Sequence, residues 1–168
     1  TSKNPRSPVG TVTEIYDYLR LLFARVGHAH CPKCGKPIES QSIDQMISRI
    51  EKIPTGTKIF VLAQIVRDKK GSHVQVLEKI RRDGFVRARI DGEIRDLDEE
   101  ISLNKKTRHT IEVVIDRLIL RPESRTRIAD SIETALKLAN GIAQIFLPDS
   151  NEEILFSENF ACVDCGIS

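Results

Sequence analysis

Two Cys-x-x-Cys pairs, in "HCPKCGKPI" (residues 30–38) and "FACVDCGIS" (residues 160–168), hold all four cysteines of the chain, and 127 residues separate Cys34 from Cys162. A Cys-x-x-Cys turn aims two sulfurs from one loop at a common point, and four thiolates suit tetrahedral zinc. Glycine follows the second cysteine of each pair, a pattern that favours metal knuckles over disulfides in a reducing compartment. Two arrangements stay open. Cys31, Cys34, Cys162 and Cys165 share one zinc, or one pair binds zinc with other ligands; His28 and His30 are spare candidates, against a plain reading as exposed loop side chains. A shared ion demands an inserted domain whose two ends meet. A thioredoxin-like redox role fits less well, because Gly35 and Pro37 follow the first pair where a helix N-terminus would be needed.

Hydrophobic periodicity fills the interval with alternating element types. "TVTEIYDYLRLLFARVG" places Ile15, Tyr18, Leu19, Leu22, Phe23 and Val26 on one helical stripe, with Thr11 and Glu14 as a capping box and Gly27 as a left-handed C-terminal cap. That stripe needs a partner surface. "SIDQMISRIEKI" reads as a second helix, "KIFVLAQIV" (58–66) as a buried strand and Ser72–Arg82 as a short helix. Asp91-Gly92 predicts a two-residue hairpin pairing Ile90 with Glu93. In "HTIEVVIDRLIL" (109–120), alternation sets Ile111, Val113 and Ile115 on one face and Glu112, Val114 and Asp116 on the other. A helix follows, with Ile128, Ile132, Ala135, Leu136 and Ala139 as its stripe and Asn140-Gly141 at its end, and then a hairpin of "IAQIFL" and "EILFS". The expected class is α+β: one compact inserted domain with a small mixed or antiparallel sheet and packed helices, flanked by the two knuckles.

At 168 residues and a formal net charge of +2, the chain lacks the positive excess that would itself indicate nucleic acid. It has no stretch of apolar residues long enough for a membrane span and no secretory signal at its start, so a cytoplasmic location without a membrane partner is expected. Basic residues cluster in "RDKKGSH", "KIRRDGFVRAR" and "NKKTRH", and Arg87 and Arg89 recur on one face of a probable strand. Guanidinium groups held in this way suit carboxylates or phosphates. The neighbouring Asp91, Glu93, Asp96, Asp98, Glu99 and Glu100 favour a mixed-charge protein interface over a nucleic-acid groove. The alternative of another class is a zinc-dependent DNA-contacting module using Lys69, Lys70, Lys105 and Lys106 on phosphates. No phosphate-binding loop, nucleophile elbow or zinc-protease motif occurs, so the residues give no case for catalysis.

The blocks "NPRSPVGTVTEIYDYLRLLFARVG", "CPKCGKPI", "GFVRARIDGE", "HTIEVVIDRL", "ADSIETALKLANG" and "LFSENFACVDCGIS" resemble, in order and through essentially the whole chain, the N-terminal half of the bacterial UvrA family. Those proteins are damage-sensing ATPases of nucleotide excision repair. The resemblance implies a fragment from inside the first ABC-type ATPase module. ATP and Mg, damaged DNA and a UvrA dimer then belong to the parent, and the fragment is not itself an enzyme. It also implies that residues 42–156 dock the partner UvrB, with 1–41 a flanking helix and first knuckle and 157–168 the second knuckle. Arg87 and Arg117 fall at the implied UvrB interface, with Arg89, Asp91 and Asp116 as neighbours of lesser role. Pro8 stands where the family has Thr. The family also places a further Cys-x-x-Cys after the pair matching Cys162 and Cys165, which implies a zinc partner for that pair beyond Ser168.

Overall fold

A computed structural model of the chain describes residues 14–38, 40–159 and 162. Helix α1 (Ile15–Val26) and the first cysteine loop lead into α2 (Ile43–Ile50), β1 (Lys58–Lys70), α3 (Val74–Arg82), β2 (Arg87–Ile90) and β3 (Glu93–Asp96). There follow β4 (Arg108–Ile119), a 3-10 turn (Pro122–Ser124), α4 (Arg125–Leu138), β5 (Ile142–Leu147) and β6 (Glu152–Ser157). The strands make one sheet in the order β3-β2-β4-β1-β5-β6, antiparallel at every step. The expected α+β class is therefore found, with the sheet antiparallel throughout.

Local chemistry accounts for several element ends. Ser42 and Gln45 close a reciprocal capping box at the start of α2. Asp91 (φ 51°) and Gly92 (φ 90°) both take the left-handed backbone that a tight hairpin requires, and Ile90 pairs with Glu93 as expected. Asn140 and Gly141 are likewise left-handed at the end of α4. Three details differ from the sequence reading. Gly27 is extended rather than left-handed, yet a side chain there would meet the Phe23 carbonyl oxygen at 2.4 Å. β1 runs on to Lys70, because its charged end pairs with Arg108 and His109 of β4. The proposed cap residue Thr11 lies outside the described residues, and Glu14, its expected partner in the capping box, is itself the N-cap of α1, left-handed at φ 60° and without a side-chain cap bond.

One face of the sheet is covered by helices. Ile59, Val61, Ala63, Ile111, Val113, Ala143, Ile145 and Phe156 pack there against Met46, Ile47 and Ile50 of α2, Leu77 and Ile80 of α3, and Ile128, Ile132, Ala135 and Leu136 of α4. The other face carries Phe60, Leu62, Val114 and Phe146 as a separate small core. A register shift divides the strand alternation: Val61 sits opposite Asp116, but Leu62 sits opposite Val114, so Ile115 is an extra residue on β4. This bulge corrects the simple alternation. Asp116 turns to the helical face, where Arg127 and Ser131 of α4 hold its carboxylate, and Arg117 moves to the opposite face above Phe60.

That second face is concave. Arg89 on β2 donates to Glu112 on the neighbouring β4, but it also reaches Glu153 on β6 and lies 4.4 Å from the ring centre of Phe146 on β5. In a flat sheet, β2 and β6 would be separated by four strand spacings, roughly 19 Å, beyond the reach of these side chains. Bulges and twist along β1 and β4 must therefore curl the sheet around this arginine. The curl explains how Leu62, Gln144, Arg89 and Glu112 are buried on a face with no helix over it. Burial opposes the charge on Arg89, but Glu112 and Glu153 outweigh it and raise the pKa of the guanidinium.

A charge buried in this manner is costly to orphan. Arg89→Met should lower unfolding stability in urea by about 3–5 kcal/mol, because Glu112 is left unpaired, and Arg89→Met with Glu112→Leu should recover most of the loss. A single variant within about 0.5 kcal/mol of the wild type would show that the pair does not hold the curl.

Candidate functional site

The first knuckle is a short bridged loop. His30 pairs with Pro37, the Cys31 N–H donates to the Lys36 carbonyl (2.8 Å), and the Gly35 N–H donates to the Cys31 carbonyl (2.8 Å). Gly35 supplies the left-handed turn, φ 72°, that reverses the chain after Cys34. At the far end of the domain the chain returns to the same place: the Gln41 N–H donates to Ser157 (2.8 Å) and the Glu158 N–H to Gly141 (2.9 Å). Cys162 is thereby brought to the first pair, with its Sγ 3.6 Å from that of Cys34, and the sulfurs of Cys31, Cys34 and Cys162 lie within 4.8 Å of one another.

Four sulfurs around zinc stand about 3.8 Å apart, from Zn–S bonds near 2.3 Å, so this spacing fits a thiolate metal site. The donors are soft, and Cys31 and Cys162 are buried. The Cys31 thiol is lowered to about 6, chiefly by the Cys34 N–H; burial opposes this, and the Lys33 N–H and the other two sulfurs assist. Thiolate is the ligating form. Cys165 lies outside the described residues. His28 and His30 do not join the sulfur group, and the His30 ring nitrogen Nδ1 sits 2.9 Å from the His28 carbonyl.

The arginines singled out in the sequence separate by environment. Arg87 and Arg117 line one groove of about 350 Å³ between the end of α3, β2 and β4, together with Val86, Val114 and Arg127. Arg87 is 39% exposed and stands 3.9 Å from Asp96, a loose pair. Arg117 is exposed, with its guanidinium 6.0 Å from the Phe60 ring centre and no carboxylate partner among the described residues. Arg89, two residues from Arg87, is buried and fully engaged. Asp116 is held below the usual carboxylate range, first by Arg127, and ties β4 to α4. The distinction between Arg87 and Arg89 has no signal in the strand pattern, because it depends on which end of the curl each residue occupies.

Asp91 lies at the other end of β2, in the hairpin turn. Its carboxylate accepts from the Thr110 N–H (2.8 Å) and from Nδ1 of His109 (2.6 Å), whose Nε2 is 3.0 Å from the Asn104 carbonyl. Lys69 and Lys70 are at this end too, opposite His109 and Arg108, with Lys105 and Lys106 in the adjoining turn. These lysines are roughly 30 Å along β1 from the Phe60–Arg117 end. Among the described residues no helix is long and apolar enough to cross a membrane. The stripe of α1 is exposed, with Tyr18 at 71% and Phe23 at 67%.

Residues 41–149 match the family model described as the UvrA interaction domain. The chain is 63% identical to the UvrABC system protein A of Clostridium tetani, 55% to that of Bacillus subtilis and 54% to that of Lactiplantibacillus plantarum. Each match covers 100% of this chain but 18% of the relative, so the chain spans less than a fifth of the length of these proteins.

The clasp between the hairpin and β4 should be sensitive to pH. Both ring nitrogens of His109 face acceptors, first Asp91 and then Asn104, and its pKa is raised. A raised folded value means that the clasp contributes fully below the ordinary imidazole range, near 6.5, and is lost as pH rises through the folded value. The stability gap between wild type and His109→Gln should therefore narrow from about pH 5.5 to about pH 9, and NMR should place the ring midpoint above 6.5. A midpoint at or below that reference would refute the clasp.

Proposed function

The chain belongs to the UvrA interaction domain family, and from that premise we propose that it docks UvrB through the rim of its concave sheet face, with Arg87 and Arg117 as the central contacts. What supports this reading is one contrast: those two arginines share a groove with spare charge, whereas Arg89 beside them is already neutralised. An exposed guanidinium lying along an aromatic ring is preorganised for a planar carboxylate, and forming that pair strands no internal partner of Arg117. Arg89, Asp91 and Asp116 serve the interface indirectly, by fixing the curl, the hairpin and α4. Within the parent the segment recruits UvrB during nucleotide excision repair, while damaged-DNA binding, ATP hydrolysis with Mg, and UvrA dimerisation belong to other segments. The fragment itself acts by binding, without turnover.

The three sulfurs would hold a structural zinc, completed by Cys165, as a clasp where the chain enters and leaves the domain. The ion would supply no chemistry to docking. Its role would be to fix the orientation of the domain on its two connecting segments.

The interface is tested by titrating UvrB against the wild type and against Arg87→Ala with Arg117→Ala. Affinity should fall by about 2–5 kcal/mol in total if the contacts are buried, with the circular dichroism spectrum unchanged. Unchanged affinity would remove both arginines from the interface. The clasp is tested by elemental analysis: one zinc per chain in the wild type, and none in either Cys31→Ser or Cys162→Ser. Zinc retained in one of the two variants would mean that the cysteine pairs do not share an ion.

A further inference from the structure

Beyond the Arg87 groove lies a larger hollow of about 640 Å³, between the start of β1, the end of β4 and the turn before α4. Its lining combines four cations, Lys58, Arg117, Arg121 and Arg127, with a single carboxylate, Glu123. Phe60 and Ile119 give it an apolar wall, and Ile119 is 42% exposed. The cations are unequal. Arg127 is spent on Asp116, but Lys58 has no ion pair among the described residues, and Arg121 stands only loosely, at 3.9 Å, from Glu123. For a chain of formal net charge +2, this is a marked local excess of positive charge.

We infer that this hollow is a second docking subsite, which takes an acidic protein segment carrying an apolar side chain. Carboxylates of the segment pair with Lys58 and Arg121 at the mouth, and its apolar residue packs on Phe60 and Ile119. The hollow adjoins the Arg87 groove, since Arg117 and Arg127 line both, so one segment of the partner can contact the two. An apolar wall next to lightly paired cations favours a peptide over single-stranded nucleic acid, whose bases stack on aromatic platforms where the hollow offers one half-buried phenyl ring. Here the inference rests on the UvrB-docking reading and extends it to residues on β1 and beyond β4.

The test uses the whole chain and three probes: UvrB, a labelled synthetic peptide of alternating Glu and Phe, and a single-stranded oligonucleotide of equal charge. Lys58→Glu with Arg121→Glu should weaken UvrB binding about tenfold or more, mostly through the association rate and its salt dependence. The same variant should abolish binding of the peptide, and Phe60→Ala should weaken the peptide without altering the salt dependence. If the charge-reversed variant binds UvrB like the wild type while Arg87→Ala weakens it, the docking reading stands and the subsite falls. If UvrB does not bind the wild type, the docking reading falls, and the peptide alone decides: binding that depends on Lys58 and Arg121 keeps the subsite, and no binding overturns it. Binding of the oligonucleotide in preference to the peptide overturns it as well.

Discussion

The structure depends on a closure: the chain leaves the domain where it entered. Gln41 and Ser157 are hydrogen-bonded, and Gly141 accepts from Glu158, so the last strand returns the backbone to the first cysteine loop. Without that return, Cys162 could not reach Cys31 and Cys34 across 127 intervening residues. Closing so long a loop is entropically costly, but the cost grows only slowly with length, and the folded sheet meets it before any ion binds. The three sulfurs are thus brought together by the domain, and a metal there would lock a geometry already formed.

The same sheet makes the rim at which docking is proposed. Bulges on β1 and β4 curl the six strands, and the curl draws Arg89 onto Glu112, Glu153 and Phe146. An ion pair at that depth contributes little net stability against a hydrophobic equivalent; here it joins side chains of β2, β4 and β6. The result leaves Arg87 and Arg117 at the margin of the concavity, one loosely paired and the other 6.0 Å from the Phe60 ring centre. Strands carry both, which suits the proposed docking, since little reordering would be needed.

Charge on this domain is therefore sorted by place. At one end, Asp91, His109 and Asn104 form an internal clasp. At the other, Lys58, Arg117 and Arg121 border apolar side chains without strong internal partners. The exposed stripe of α1 lies outside both, and it is the face expected to need a partner surface. A net charge of +2 conceals this arrangement, since composition counts charges and takes no account of which are paired.

By itself the sequence determined the type and order of the helices and strands of the body: the capping box at Ser42, the Asp91-Gly92 hairpin, the stripe on α4 and the final hairpin are each set by residues a few positions apart. It also marked the cysteine pairs as metal-like and required the two ends to meet if the pairs share one ion. Tertiary structure alone decided what depends on distant strands. The bulge at Ile115 reversed the faces of Asp116 and Arg117, and the curl buried Arg89 while exposing Arg87 two residues away. Alternation along one strand carries no information about a neighbour's extra residue or the radius of a sheet, and those two quantities chose which arginines were left without a strong internal partner.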